Sequence, residues 1–129
     1  MIGVQRTDFA TVVTQDTDRA LRFYGETLGL RRNDKAHPDW PEFETGNLTL
    51  SIVHYEQIGR SEFTPNTAPI ALRVGDVHEA RTELEEAGVE FLSETYDSEV
   101  CHLAVFSDPD GNRLMLHRRY APYADGSTP

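Results

Sequence analysis

The sequence predicts an α+β fold built from two copies of one unit, in which a strand, a helix and three further strands follow one another. Two observations support this prediction. The order strand, helix, glycine and strand occurs twice, and strand-like segments follow it each time. The helix starts, Asp16 and Asp76, lie 60 positions apart, and the glycines after the helices, Gly29 and Gly88, keep this spacing to within one residue. The chain is therefore predicted to contain an internal duplication of a βαβββ unit.

Length and composition fit a globular domain and exclude some partners. The chain has 129 residues, the size of one ordinary domain. Its net charge of −10 argues against a nucleic-acid partner, because phosphate binding rests on Lys and Arg. No apolar run approaches the roughly 20 residues that span a bilayer, and the first residues do not resemble a signal peptide. The single cysteine, Cys101, excludes an internal disulfide and fits a reducing compartment, so we expect a cytoplasmic protein without membrane contact.

The first module is predicted over residues 6–58 and opens with a strand at residues 8–15. Alternation places Phe9, Thr11 and Val13 on one face of this strand. Because the three side chains point the same way, we expect them to share one environment.

A helix is predicted after the first strand. Asp16 or Thr17 is suited to cap its start, because both side chains accept hydrogen bonds from free backbone amides. Apolar residues then recur at helical spacing until Gly29, which can adopt the left-handed conformation that ends a helix. A second strand is expected from Leu30 onward.

The rest of the first module is predicted to be a loop and two strands. Residues 37–41 hold Trp40 between two prolines, which favours a loop or a strand edge. A short strand at residues 43–45 begins with Phe43, and a longer one covers residues 48–55, ending at Tyr55. One face of the longer strand is apolar and the other small and polar, as suits a strand between a core and a cavity. The polar face carries Thr49 and Ser51.

The chain continues through a predicted linker at residues 59–68 into a second module at residues 69–119. A flexible tail is expected at residues 120–129, which are rich in Pro, Gly, Ser and Asp. The second module opens with a strand at residues 70–74, which carries Arg73.

A helix and a further strand are predicted next. Asp76 and Glu79 have the spacing of a capping box. The helix is expected to end at Gly88, and residues 89–92 are predicted to form a strand.

The second module closes with a predicted β-hairpin. Its turn is Asp108-Pro109-Asp110-Gly111-Asn112, in which proline presets φ and glycine tolerates a left-handed exit. Strand-like runs flank the turn at residues 100–106 and 113–117. Leu114 and Leu116 point to one face, and Met115 and His117 point to the other, where we expect a pocket to be built.

Three of these motifs together resemble signatures of the vicinal oxygen chelate superfamily, which contains the glyoxalases, bleomycin-resistance proteins and extradiol dioxygenases. The first is Val13-Thr14-Gln15-Asp16 followed by Ala20-Leu21-Arg22-Phe23-Tyr24. The second is Leu28-Gly29-Leu30, and the third is the Asp-Pro-Asp-Gly turn. The likeness extends over about residues 7–119. It implies two modules that curve as a mixed sheet around a cup, with helices outside, and usually a homodimer.

The resemblance also implies where a metal would be bound. Family enzymes hold a divalent metal in the cup with His, Gln or Glu side chains on four strands. The matching positions here are Phe9, either Thr49 or Ser51, Pro69 and Met115. None of these side chains is a good metal ligand, so we expect no metal, no cofactor and no catalytic residue of the usual kind.

Two histidines leave an alternative open. His102 and His117 lie on adjacent strands of one hairpin, and both are candidates to face the cup. Three alternatives remain open for these histidines. They line a pocket, they bind a divalent metal as non-standard ligands, or they are partly exposed strand residues without a role in binding. A metal there would make the protein a lyase, isomerase or dioxygenase of this superfamily.

The leading hypothesis is a non-catalytic protein that binds a small hydrophobic or aromatic molecule, such as an antibiotic or other natural product, and acts by sequestration. A concave, mostly apolar site with a few polar groups is what such a ligand requires. The same side chains would equally serve as ordinary core in a closed cup. The candidate binding residues are Phe9, Thr11, Val13, Trp40, Phe43, Thr49, Ser51, Tyr55, Arg73, His102, Met115 and His117.

Overall fold

The computed structural model describes residues 1–129 and divides the chain into two compact units, Met1–Pro65 and Asn66–Pro129. Each unit contains one four-stranded sheet and one α-helix. The boundary between the units falls inside the segment predicted as a linker. None of the helices has the length and apolar character needed to cross a membrane.

The first unit has the predicted order of strand, helix and three strands. Its sheet runs in the order β1-β4-β3-β2, with β1 parallel to β4 and the other neighbours antiparallel. The elements are β1 (Phe9–Thr14), α1 (Thr17–Arg22), β2 (Arg31–Arg32), β3 (Glu42–Glu44) and β4 (Thr49–His54).

The second unit repeats this plan. Its sheet runs in the order β5-β8-β7-β6, again with the first and last strands parallel and the others antiparallel. The same topology in both halves confirms the duplication and the α+β class. The elements are β5 (Ile70–Arg73), α2 (Val77–Glu86), β6 (Tyr96–Asp97), β7 (Cys101–Ser107) and β8 (Arg113–Arg119).

Both helices start at the predicted aspartates. A carboxylate oxygen of Asp16 accepts from the amide of Arg19 at 3.1 Å, and one of Asp76 accepts from that of Glu79 at 2.9 Å. Each bond satisfies an amide that the first helical turn leaves unpaired.

The first helix ends differently from a regular α-helix. After Arg22 it widens into a π-helical turn at Phe23–Thr27, where the Leu28 amide donates to the Phe23 carbonyl at 2.9 Å. Gly29 then takes φ of +69°, and the Leu30 amide returns to the Tyr24 carbonyl at 3.0 Å. The predicted glycine stop is confirmed, because this closure needs a left-handed residue.

The hairpin turn is organised by one buried carboxylate. Asp108 accepts from the amides of Asp110 and Asn112, both at 2.9 Å, and from the side-chain amide of Asn112 at 2.8 Å. Gly111 has φ of +89°, as predicted for the turn exit. The side-chain oxygen of Asn112 accepts from the amide of Asn66 at 2.9 Å, which ties the start of this unit to its hairpin.

Each sheet buries one face against the helix of its own unit. In the first unit Phe43 packs against Tyr24, with ring centroids 6.2 Å apart. In the second unit Phe106 packs against Phe91 at 5.3 Å, and the guanidinium of Arg81 lies over the Phe91 ring at 4.5 Å. Six of the other buried apolar residues of these sheets lie on the same faces: Val12, Leu50, Ile52, Ala104, Leu114 and Leu116. Val53 is also buried but pairs with Val13 on the opposite face of the first sheet.

Some predicted boundaries are wrong. Residues 89–92 form no strand, and only Phe91 makes an isolated bridge, to Phe106. The strand opposite β7 lies instead at Tyr96–Asp97, too short for alternation to reveal it. Tyr55 is not in β4 but begins a 3₁₀ turn that runs to Ile58, which the His54 side chain caps.

Candidate functional site

Each sheet also has a face that its own helix does not cover, which we call the helix-free face. On the first sheet this face includes Phe9, Thr11 and Val13 of β1. The Phe9 side chain is 56% exposed, unlike the buried aromatic residues on the helix side. An exposed aromatic ring on a sheet face is available to bind an apolar molecule.

The neighbouring strand adds hydroxyl groups to the helix-free face. Phe9 pairs with Thr49, and Thr11 pairs with Ser51. The Thr49 hydroxyl lies 3.1 and 3.0 Å from the two carboxylate oxygens of Glu44, so it donates to Glu44. Sequence reasoning missed Glu44, because the register between β3 and β4 is not visible in the alternation of one strand.

The second helix-free face carries cationic and apolar groups. Arg73 of β5 pairs with His117 of β8, which pairs with Leu103 of β7. In the next row Met115 pairs with Val105. The structure thus brings together three predicted site residues, Arg73, Met115 and His117, on this face.

His102 lies on the other face of the same sheet. It pairs with Arg118 and Asp97, and its ring lies 5.1 Å from that of His78 on α2 and 4.9 Å from that of Tyr120. The expectation that His102 and His117 both face one cup is wrong. The reason is the register, because β7 sets Leu103, and not His102, opposite His117.

The surroundings of His102 form a polar cluster that sequence reasoning did not find. Its Nε2 atom lies 3.4 Å from Asp97, and the Tyr120 hydroxyl donates to the same carboxylate at 2.8 Å. The Tyr120 hydroxyl and the Glu99 amide lower the pKa of Asp97 below its usual value, and the hydrogen bond to Asp97 raises the pKa of Tyr120. Tyr120 lies 23 positions from Asp97, and the two meet because β7 pairs with β6 on one side and with β8 on the other.

Three further predicted site residues lie apart from the helix-free faces. Phe43 is a core residue, 1% exposed and packed on the helix side, so its prediction as a pocket residue is wrong. Trp40 is an exposed residue of the loop before β3. Tyr55 is half-buried in its 3₁₀ turn, between the rings of His54 and Phe63.

A divalent metal does not fit the side chains at the positions implied by the family resemblance. Phe9 and Thr49 are direct neighbours on the first sheet, and Met115 lies between Ala71 and Val105 on the second. An aromatic ring, a hydroxyl and a thioether are poor ligands for hard divalent cations. No group of three or more His, Cys, Asp or Glu residues is placed to hold a metal ion.

Each unit also has a shallow cleft near the start of its helix, with a volume of about 460 Å³ in the first unit and about 380 Å³ in the second. The second cleft contains His102 and Tyr120. Of the residues on the helix-free faces, Arg119 alone lines the second cleft, and the first cleft contains none. The first is lined by Thr17, Pro38, Asp39, Pro41, His54, Glu56 and Gln57.

The repeated topology defines the class of this protein as a two-module α+β protein made of βαβββ units. The chain belongs to the Glyoxalase/Bleomycin resistance protein/Dioxygenase superfamily, whose family model matches residues 6–116.

Solved structures share the fold. A putative glyoxalase family protein from Bacillus anthracis is 25% identical, with 90% of this chain and 96% of that chain covered and a TM-score of 0.75. A superfamily member from Sphaerobacter thermophilus is 24% identical, with coverage of 88% and 97% and a TM-score of 0.77. TnmS3, an antibiotic binding protein from Streptomyces sp. CB03234, is 24% identical, with coverage of 92% and 99% and a TM-score of 0.76.

Proposed function

We propose that this protein binds a small hydrophobic or aromatic molecule, such as an antibiotic or other natural product, on a helix-free sheet face and acts by sequestration. The observation that carries the proposal is the exposed ring of Phe9, which stands beside hydroxyl side chains where catalytic relatives are expected to hold a metal. The similarity to an antibiotic binding protein supports the same role. In this proposal the protein works without a metal, as a homodimer in the cytoplasm.

The chemistry of the faces suits such a ligand. A flat aromatic molecule gains from stacking on Phe9 and from removing apolar surface from water, at about 25 cal/mol per Å². The exposed Thr11 adds a hydroxyl that can orient a polar substituent of the ligand, whereas its pair partner Ser51 is buried. Sequestration needs only affinity and abundance, so the absence of a catalytic group at these positions does not impair it.

Equilibrium dialysis of the purified protein against a library of antibiotics and aromatic natural products tests the proposal. We expect at least one ligand with a dissociation constant below 1 mM, a threshold equivalent to about −4 kcal/mol. Phe9→Ala should weaken its binding about tenfold, since an aromatic contact contributes roughly 0.5–1.5 kcal/mol beyond its buried area.

Trp40→Ala is the matched control, because Trp40 is similarly exposed but lies in a loop and not on β1. It should leave the affinity within about twofold. A library without any binder would contradict the proposal, and so would equal losses in the two variants.

A metal enzyme with His102 and His117 as ligands gains no support from the geometry, because these residues point to opposite faces of one sheet. Metal analysis of protein purified without chelator provides a second check. One equivalent of tightly bound iron, zinc, nickel or manganese would contradict the metal-free proposal.

A further inference from the structure

The helix-free face of the second sheet has a charge opposite to that of the whole chain. The chain carries a net charge of −10, but no Asp or Glu occupies this face. Cationic and neutral side chains make up all of its paired positions. They are Ala71, Arg73, Tyr96, Cys101, Leu103, Val105, Ser107, Arg113, Met115, His117 and Arg119.

The arginine and histidine side chains of this face differ in how they are bonded. The guanidinium of Arg119 donates to the carbonyls of Ala121 and Pro122 at 2.9 and 2.7 Å, so it holds the chain after β8. The side chains of Arg73 and His117, in contrast, make no hydrogen bond or ion pair within the protein. They are therefore available to a ligand.

Arg73 and His117 are also placed to act together. They are direct partners in the parallel pairing of β5 with β8, whose backbones are about 4.8 Å apart. Both can therefore reach the same anionic group. Met115 lies two residues before His117 on the same face of β8, about 7 Å away along the strand. It pairs with Val105. An apolar surface thus lies directly beside Arg73 and His117.

We infer that this face binds the anionic group of an otherwise apolar or aromatic ligand, with Arg73 and His117 on a carboxylate, sulfonate or phosphate and Met115 and Val105 against the ligand body. The inference rests on the proposed binding function and narrows the ligand class. Arginine is suited to the role because its planar guanidinium forms two parallel hydrogen bonds with such groups.

Two fluorescent probes that differ only in one anionic group test the inference. They are 8-anilinonaphthalene-1-sulfonate and its neutral counterpart N-phenyl-1-naphthylamine. We expect the sulfonate to bind at least tenfold more tightly to the folded protein in low salt. Its affinity should fall with added sodium chloride, because the charged groups are partly exposed to solvent.

Arg73→Gln should weaken binding of the sulfonate about tenfold and leave that of the neutral probe within twofold. His117→Gln should act in the same direction and provides a second readout if one variant folds poorly. Arg22→Gln is the control, because Arg22 is an exposed arginine on α1. It should change neither affinity.

The outcomes distinguish a failure of the proposed binding function from a failure of the inferred preference for an anionic ligand. Failure of both probes to bind would overturn the proposed function together with the inference. Equal affinity for both probes would overturn the inference alone. So would sulfonate binding that Arg73→Gln and His117→Gln leave unchanged.

Discussion

The buried carboxylate of Asp108 allows a sharp prediction, because asparagine replaces one of its acceptor oxygens by an NH₂ group within a hydrogen-bonded turn. Asp108 is 5% exposed and accepts hydrogen bonds from the backbone amides of Asp110 and Asn112 and from the Asn112 side chain. An amide at position 108 keeps one acceptor oxygen for the backbone but turns an NH₂ group toward the NH₂ of Asn112. Rotating the Asn112 amide does not help, because its oxygen already accepts from Asn66.

We expect Asp108→Asn to lower the free energy of unfolding by about 3 kcal/mol. Leaving a buried donor unpaired costs roughly 1–3 kcal/mol, and two bonds also lose their charge-assisted strength. For a chain of this size the melting temperature should fall by roughly 10 °C. Thermal and urea unfolding followed by circular dichroism measure both quantities.

A double variant tests the reasoning directly. In Asp108→Asn/Asn112→Asp the new amide donates to the new carboxylate, whose other oxygen accepts from Asn66. We expect it to recover at least half of the lost stability. The control is Asp125→Asn, which alters an exposed turn aspartate that accepts from Ser127 and should lower the melting temperature far less than Asp108→Asn. A single variant as stable as the control, or a double variant less stable than Asp108→Asn, would refute the reasoning.

Two further predictions concern Asp97 and Gly29. Tyr120→Phe removes the strongest influence on the Asp97 carboxyl, so the pKa of Asp97 should rise toward its usual 3.8, as measured by NMR titration, whereas Tyr123→Phe should leave it unchanged. Because folding lowers this pKa, the carboxylate stabilises the fold above about pH 4, and its contribution is lost as the pH falls through the lowered value. Gly29→Ala should cost about 1 kcal/mol in chemical denaturation, since φ of +69° disfavours a Cβ atom, and an unchanged midpoint would contradict this.

Local signals predicted most of the elements. The caps at Asp16 and Asp76, the stop at Gly29 and the turn at Asp108 are each set by hydrogen bonds within a few residues. Their chemistry is therefore readable from sequence. The internal repeat was predicted from the spacing of these signals, because each unit has an aspartate at the start of its helix and a glycine after the end.

Long-range pairing decided what the sequence did not show. His102 and His117 are both plausible pocket residues by type, and only the β7–β8 register separates them onto two faces. Phe43 looked like a pocket aromatic because its strand has three residues, too few for alternation to assign a side. The acceptor Glu44 and the cluster around Asp97 likewise depend on partners in other strands.

The most direct test of the account is NMR mapping of backbone amide shifts as the protein is saturated with the tightest ligand found by dialysis. The account predicts that the largest shifts fall on a helix-free face, either near Phe9 and Thr11 of β1 or near Met115 and His117 of β8. Shifts concentrated instead around His54 or His102, at the clefts beside the helix starts, would contradict it.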